Sequence, residues 1–255
     1  MKKLVLVLMV ALMSSALFAQ NELFLKKEFV FKGDTLRYRV LYPVNYDPAQ
    51  KYPLVLFLHG MGERGSDNEK QLTHGAALFA NDKNRLDFPS IVLFPQCPLS
   101  DTWISFQERQ GNTIEFSEKP PITKSLMLVK KLLDSYVKNE GVDKKKIYVT
   151  GLSMGGMGTF DLICRYPKYF AAAMPICGGV NVDRLKKVKK MPIRIFHGGA
   201  DPVVSREHSR NAFIELKAEG SSRVEYVEFP GVGHDSWTNA FEYPDFLSWM
   251  YYHSR

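Results

Sequence analysis

Short apolar runs alternate along the chain with stretches in which apolar residues return every third or fourth position. Tyr52–His59 is an almost unbroken apolar run, as expected of a strand covered on both faces. Ile91–Phe94, Lys146–Val149, Ala171–Cys177, Ile193–Phe196 and Val224–Phe229 read the same way, as short β-branched or aromatic runs. Glu28–Phe31 and Thr35–Tyr42 flank Lys32-Gly33-Asp34, which is a hairpin signal. Between these runs, Ile122, Leu126, Val129, Leu133, Tyr136 and Val137 mark an amphipathic helix that Gly141 closes. Met157, Phe160, Ile163 and Cys164 mark another helix, stopped by Pro167, and a third is expected around Ser205–Glu219. Phe241–Tyr251 closes the chain as a helix, with Pro244 in its first turn. Strands alternating with helices predict an α/β fold with a mostly parallel central sheet and helices on both faces.

The junction between Lys146–Val149 and the helix after it reads Thr150-Gly-Leu-Ser-Met-Gly-Gly156. A serine at a sharp strand-to-helix turn, with glycine two before and two after, is the nucleophile-elbow arrangement. The serine backbone is strained, so its neighbours must lack Cβ atoms where helix and strand meet. The turn lifts the Ser153 hydroxyl above the sheet and sets helix N-terminal N–H groups beside it, where they can stabilise an oxyanion.

A serine hydroxyl alone is a poor nucleophile and needs a base, which in turn needs an acid to orient it. Of six histidines, His59 and His197 follow strands and precede glycines, where turn-stabilising hydrogen bonds are the default. His74 and His208 fall on helices and His253 near the terminus, which leaves His234, after the last strand, as the base. Asp201 follows a strand in His197-Gly-Gly-Ala-Asp201 and is the favoured acid. Asp235 adjoins His234 and cannot easily fold back on it, and Asp183 requires the acid to follow an earlier strand. The order Ser153, Asp201, His234 is nucleophile, acid, base in the α/β-hydrolase sense.

These stretches, with Leu58-His-Gly-Met-Gly-Glu-Arg-Gly-Ser-Asp-Asn68 and Gly231-Val-Gly-His-Asp-Ser-Trp237, resemble the secreted esterases of the α/β-hydrolase superfamily. More narrowly, residues 50–240 resemble the predicted peptidase and phospholipase/carboxylesterase group related to feruloyl esterases and polyhydroxybutyrate depolymerases. The resemblance implies a serine hydrolase with an acyl-enzyme intermediate, no metal and no cofactor. It also places the oxyanion donors at the backbone N–H of Met154 and of Met61 or Gly62.

The substrate is less legible. The connection Gly178–Met191 has 14 residues, too short for an inserted lid domain, so an open site is expected. The long connection 95–120 carries Gln96, Trp103, Phe106 and Phe116, and Trp103 is the candidate floor of an acyl or sugar pocket. Gln96 and Trp237 are its candidate companions; anchoring a loop is the competing role for each aromatic. Glu63 and Arg64 are expected to tie down the oxyanion loop. The expected substrates are carboxylic esters, with acetyl or feruloyl groups on plant polysaccharide as candidates. A peptidase with the same triad and a degenerate, carbohydrate-binding hydrolase are the alternatives.

Composition changes this picture little. The chain has 255 residues and a formal charge of +7, but its basic residues are scattered apart from Lys144-Lys145-Lys146 and Lys186–Lys190. Both runs are expected to be solvated connections, so no nucleic-acid partner is inferred. Residues 1–19 read as a signal peptide: Lys2 and Lys3, an apolar run Leu4–Leu12, and small residues before a cut after Ala19. Their removal takes two lysines and no acid, so +7 becomes +5, and leaves a single domain over 20–255. Export without a stable membrane anchor is therefore expected, since the apolar run is shorter than the roughly 20 residues a span needs. Cys97, Cys164 and Cys177 are an odd set, compatible with one disulfide and a free thiol or with three buried thiols, and fit no metal spacing. Oligomeric state leaves no trace in the sequence.

Overall fold

The computed structural model describes residues 21–106 and 108–255; the signal-peptide reading of 1–19 lies outside them. The opening hairpin pairs β1 (Leu25–Phe31) with β2 (Asp34–Leu41). The strands that follow are β3 (Tyr52–Leu58), β4 (Ile91–Pro95) and, in a separate small hairpin, β5 (Arg109–Gln110) and β6 (Thr113–Ile114). Then come β7 (Val142–Leu152), β8 (Ala172–Ile176), β9 (Ile193–Gly198) and β10 (Val224–Phe229). Eight of these form one sheet in the order β1-β2-β4-β3-β7-β8-β9-β10. The β1–β2 and β2–β4 pairs are antiparallel and the remaining pairs parallel.

The apolar runs are continuous because both faces of the sheet are covered. In β3, Leu54, Leu56 and Leu58 pack into one core layer while Val55 and Phe57 pack into the other. That is the period-two alternation of a strand with apolar material on each side. The first layer is filled by α3 (Lys124–Asn139), α4 (Met154–Arg165) and α5 (Glu207–Ala218), through Leu126, Leu133, Phe160, Ile163 and Leu216. The second takes Phe79 from α1 (Ala76–Ala80), Ala240 from α6 (Trp237–Phe241) and Phe246 from α7 (Phe246–Tyr252). A further helix, α2 (Asp82–Asp87), is capped by Asn81, whose side chain accepts the Asn84 N–H.

Three local expectations change. The closing helix is two helices, because Pro244 lies between α6 and α7 rather than inside a first turn. Lys144 and Lys145, expected in a connection, are solvent-exposed positions of β7. The long connection after β4 contains the β5–β6 hairpin, which its polar sequence did not announce. All three cysteines are buried free thiols.

Candidate active site

The carboxyl ends of β3, β7, β8 and β9 converge on one edge of the sheet, the usual place for a site in a parallel α/β fold. Ser153 joins β7 to α4 with φ 53° and ψ −117°, a conformation in the left-handed half of backbone space that costs energy for a residue with a Cβ. Its N–H donates to the Ile176 carbonyl at 2.9 Å, and its own carbonyl accepts the Met157 N–H at 3.0 Å. The glycine at 155 is required by a close crossing. A Cβ there would lie 1.9 Å from the Leu58 carbonyl oxygen, backbone against backbone.

His234 sits on the loop after β10 and Asp201 on the loop after β9. Ser153 Oγ is 2.9 Å from His234 Nε2, and His234 Nδ1 is 2.7 Å from Asp201 Oδ2. An ionised carboxylate only accepts, so Nδ1 carries the ring proton and Nε2 is left free to accept from the serine hydroxyl. The Asp201 side chain is fully buried. Burial alone would push its carboxyl up, but hydrogen bonds from His197, His234 and the Val204 and Val203 N–H groups outweigh that and hold it well below the usual carboxylate range. The two backbone donors reach Oδ1 at 2.9 and 2.8 Å.

His197 is more than a turn residue. It is wholly buried, and its Nε2 faces the Val204 carbonyl at 3.0 Å and Asp201 Oδ2 at 3.3 Å. Its Nδ1 lies 2.7 Å from Ser209 Oγ, so the chain of polar contacts continues past the carboxylate into α5. The signal was its position four residues before Asp201, at a strand end pointing into the same site. Cys177 was also missed: it takes φ 40° and brings its Sγ, with Asp201 and His234, into a group within 4.8 Å that has metal-ligand chemistry. Two of those three side chains are already joined by the hydrogen bond described above.

Beside Ser153 lies a cavity of about 250 Å³. Met61, Gly62 and Met154, the candidate oxyanion donors, all line it, as does Trp237. The Trp237 ring stands edge-on to His234 with centroids 5.4 Å apart. Phe106, Arg109 and Ile114 come from the β5–β6 region and close another side.

Trp103 and Gln96 are not in that cavity, and their expected contact with substrate is corrected. Trp103 is completely buried, and its indole N–H donates to the His59 carbonyl at 3.0 Å. Gln96 is buried too; its amide donates to Asp67 Oδ1 at 2.8 Å and accepts the Asn68 N–H at 2.8 Å. A large aromatic and an amide look alike in sequence whether they face a ligand or brace a loop. Here both brace the loop that follows β3. His59 completes that brace, donating from Nδ1 to the Gly60 carbonyl at 2.6 Å and accepting the Cys97 N–H on Nε2 at 3.0 Å. Arg64 ties the same loop to the Leu99 and Asp101 carbonyls at 3.0 and 3.2 Å.

With that geometry in view, the family model described as Phospholipase/Carboxylesterase matches residues 44–250. The chain belongs to this family. As a member it is an α/β-hydrolase and an ester hydrolase. The Arabidopsis thaliana protein named "Probable carboxylesterase SOBER1-like" is 26% identical over 98% of the chain and 94% of its own length. A solved thermostable esterase is 36% identical with a TM-score of 0.85, covering 93% of the chain; the chain spans 64% of that protein's length. The bifunctional acetylxylan esterase/xylanase of Neocallimastix patriciarum is 30% identical over 58% of the chain and 19% of its own length.

Proposed function

We propose that the protein is an exported serine carboxylesterase that removes small acyl groups from hydroxyls of plant polysaccharide, using Ser153, His234 and Asp201. The observation that carries the reading is the continuous hydrogen-bonded line from the Ser153 hydroxyl through both nitrogens of His234 to a buried carboxylate. Ser153 Oγ attacks the ester carbonyl carbon as its proton passes to His234 Nε2. The imidazolium is stabilised by Asp201, and the carbonyl oxygen becomes an oxyanion facing the N–H of Met154 and that of Met61 or Gly62. Collapse breaks the ester C–O bond, and His234 returns the proton to the departing alkoxide, which leaves an acyl-serine. Water, giving a proton to His234, then attacks the acyl carbon; the acyl–Oγ bond breaks as His234 returns that proton to Ser153 Oγ, and the acid is released.

One feature supports an ester of small acyl group. The cavity of about 250 Å³ is walled by Leu152, Met157, Phe106 and Trp237, apolar side chains suited to a short or flat acyl chain. The polysaccharide side of the reading is supported by the acetylxylan esterase relative. Export rests on the pattern of residues 1–19, and among the described residues no helix is long and apolar enough to cross a membrane.

Purified protein and Ser153→Ala, assayed on p-nitrophenyl acetate, test the mechanism. Loss of roughly 10⁴-fold or more in kcat is expected, together with loss of labelling by a fluorophosphonate probe. Equal rates in the two proteins would end the proposal, and faster cleavage of aminoacyl arylamides than of esters would favour a peptidase.

A further inference from the structure

A second cavity, of about 430 Å³, adjoins the first across the β5–β6 hairpin. Ile114 lines both, while neighbouring residues of β5 part company: Arg109 lines the cavity beside Ser153 and Gln110 lines the other. The hairpin between them is a fixed wall. The Arg109 guanidinium donates to the Val203 carbonyl at 2.7 Å, the Ser205 N–H donates to the Asn112 carbonyl at 2.8 Å, and the Ile114 N–H donates to His208 Nε2 at 3.0 Å. Those three anchors fall on the segment that leads from β9 into α5, directly after Asp201.

The lining of the second cavity has a distinct chemistry. Gln110, Thr113, Glu108 and Glu115 present exposed amide, hydroxyl and carboxylate groups around the half-buried ring of Phe116. That ring is held edge-on to His208 with centroids 5.2 Å apart. An amide and a hydroxyl that both donate and accept, with carboxylates that accept, set around an aromatic face, match a ring bearing many hydroxyls and an apolar C–H face. Among the described residues, two carboxylates and no lysine or arginine line the cavity, which disfavours a uronate, phosphate or other anion.

We infer that this cavity is a subsite for a neutral sugar chain, the alcohol side of the ester, holding it while an acyl group one residue along enters the cavity at Ser153. The inference rests on the esterase reading above and names the substrate class it takes. It also explains why a small acyl pocket is sufficient: binding energy comes from the sugar, which stays outside the reacting centre.

The test separates the two readings. Hydrolysis of a monoacetylated xylotriose is compared with that of p-nitrophenyl acetate, which is too small to reach the second cavity. In Gln110→Ala/Thr113→Ala, kcat/KM on the acetylated xylotriose falls about tenfold, as loss of one or two hydrogen bonds implies, and p-nitrophenyl acetate turnover stays within about twofold. Equal losses on both substrates, or none on either, overturn the subsite. Binding of unesterified xylotriose to Ser153→Ala, followed by saturation-transfer NMR, tests the cavity without turnover, so it stands even if esterase activity is absent. Binding that survives the double substitution, or that prefers a cationic glucosamine trimer to xylotriose, also overturns it.

Discussion

His59 couples acid stability to the loop that carries the candidate oxyanion donors. Burial pushes its imidazole down from 6.5 to about 4, against the opposing pull of its bond to the Gly60 carbonyl. The folded protein therefore resists a proton that the unfolded chain accepts. As pH falls through 6.5 the unfolded state is favoured, and the loss of stability levels off only below about 4. Over the whole window the shift corresponds to roughly 3 kcal/mol, and between pH 8 and pH 5 the two values give about 2 kcal/mol. Protonating Nε2 also removes the acceptor of the Cys97 N–H, so the damage is directed at the brace beneath residues 60–63. Urea unfolding at pH 8 and pH 5, on wild type and His59→Gln, measures the effect. The glutamine can still accept the Cys97 N–H but cannot titrate. The wild-type midpoint should fall by roughly 0.7–1 M more than the variant's, taking about 2–3 kcal/mol per M for the slope. His208 and His253, also lowered by burial, are common to both proteins and cancel in the difference. Parallel losses in the two proteins would refute the assignment.

Two further outcomes follow from contacts at the elbow and the carboxylate. Gly155→Ala drives a Cβ into the Leu58 carbonyl and should cost about 3 kcal/mol or more, lowering the melting temperature by about 6–12 °C; an unchanged melt would contradict the crossing. His197→Asn, which withdraws a partner from the far side of Asp201, should reduce kcat roughly tenfold to a hundredfold with KM unchanged. A loss confined to KM would show that His197 does not act through the carboxylate.

The parts of the fold that were legible in sequence are those whose burial is one-dimensional. β3 and β4 carry only apolar or aromatic residues because the sheet is covered on both sides, so a run of residues reveals them directly. Helix α3 was legible because its buried positions, among them Leu126, Val129 and Leu133, recur at helical spacing. Ser153, Asp201 and His234 were locatable because each follows a strand end at a glycine-rich turn. What could not be read depends on which way a side chain points from irregular backbone. Trp103 turned inward to the His59 carbonyl, and the β5–β6 strands, two residues each, are too short to carry a period. Cys177 was set aside because its neighbours Asp201 and His234 follow other strands, and His197 because the turn after β9 folds Asp201, Val204 and Ser209 back onto its ring.

The candidate reacting groups are mounted on the sheet and its immediate turns, whereas much of the wall around them belongs to a hairpin that hangs from the segment behind Asp201 by three hydrogen bonds. The hairpin is thus an exchangeable cassette. A different insert between β4 and α3, provided it met those same attachment points, would recast which ester fits while leaving the chemistry untouched. Related enzymes of divergent preference are then expected to differ most in that one insert, and laboratory redesign of this protein should begin there.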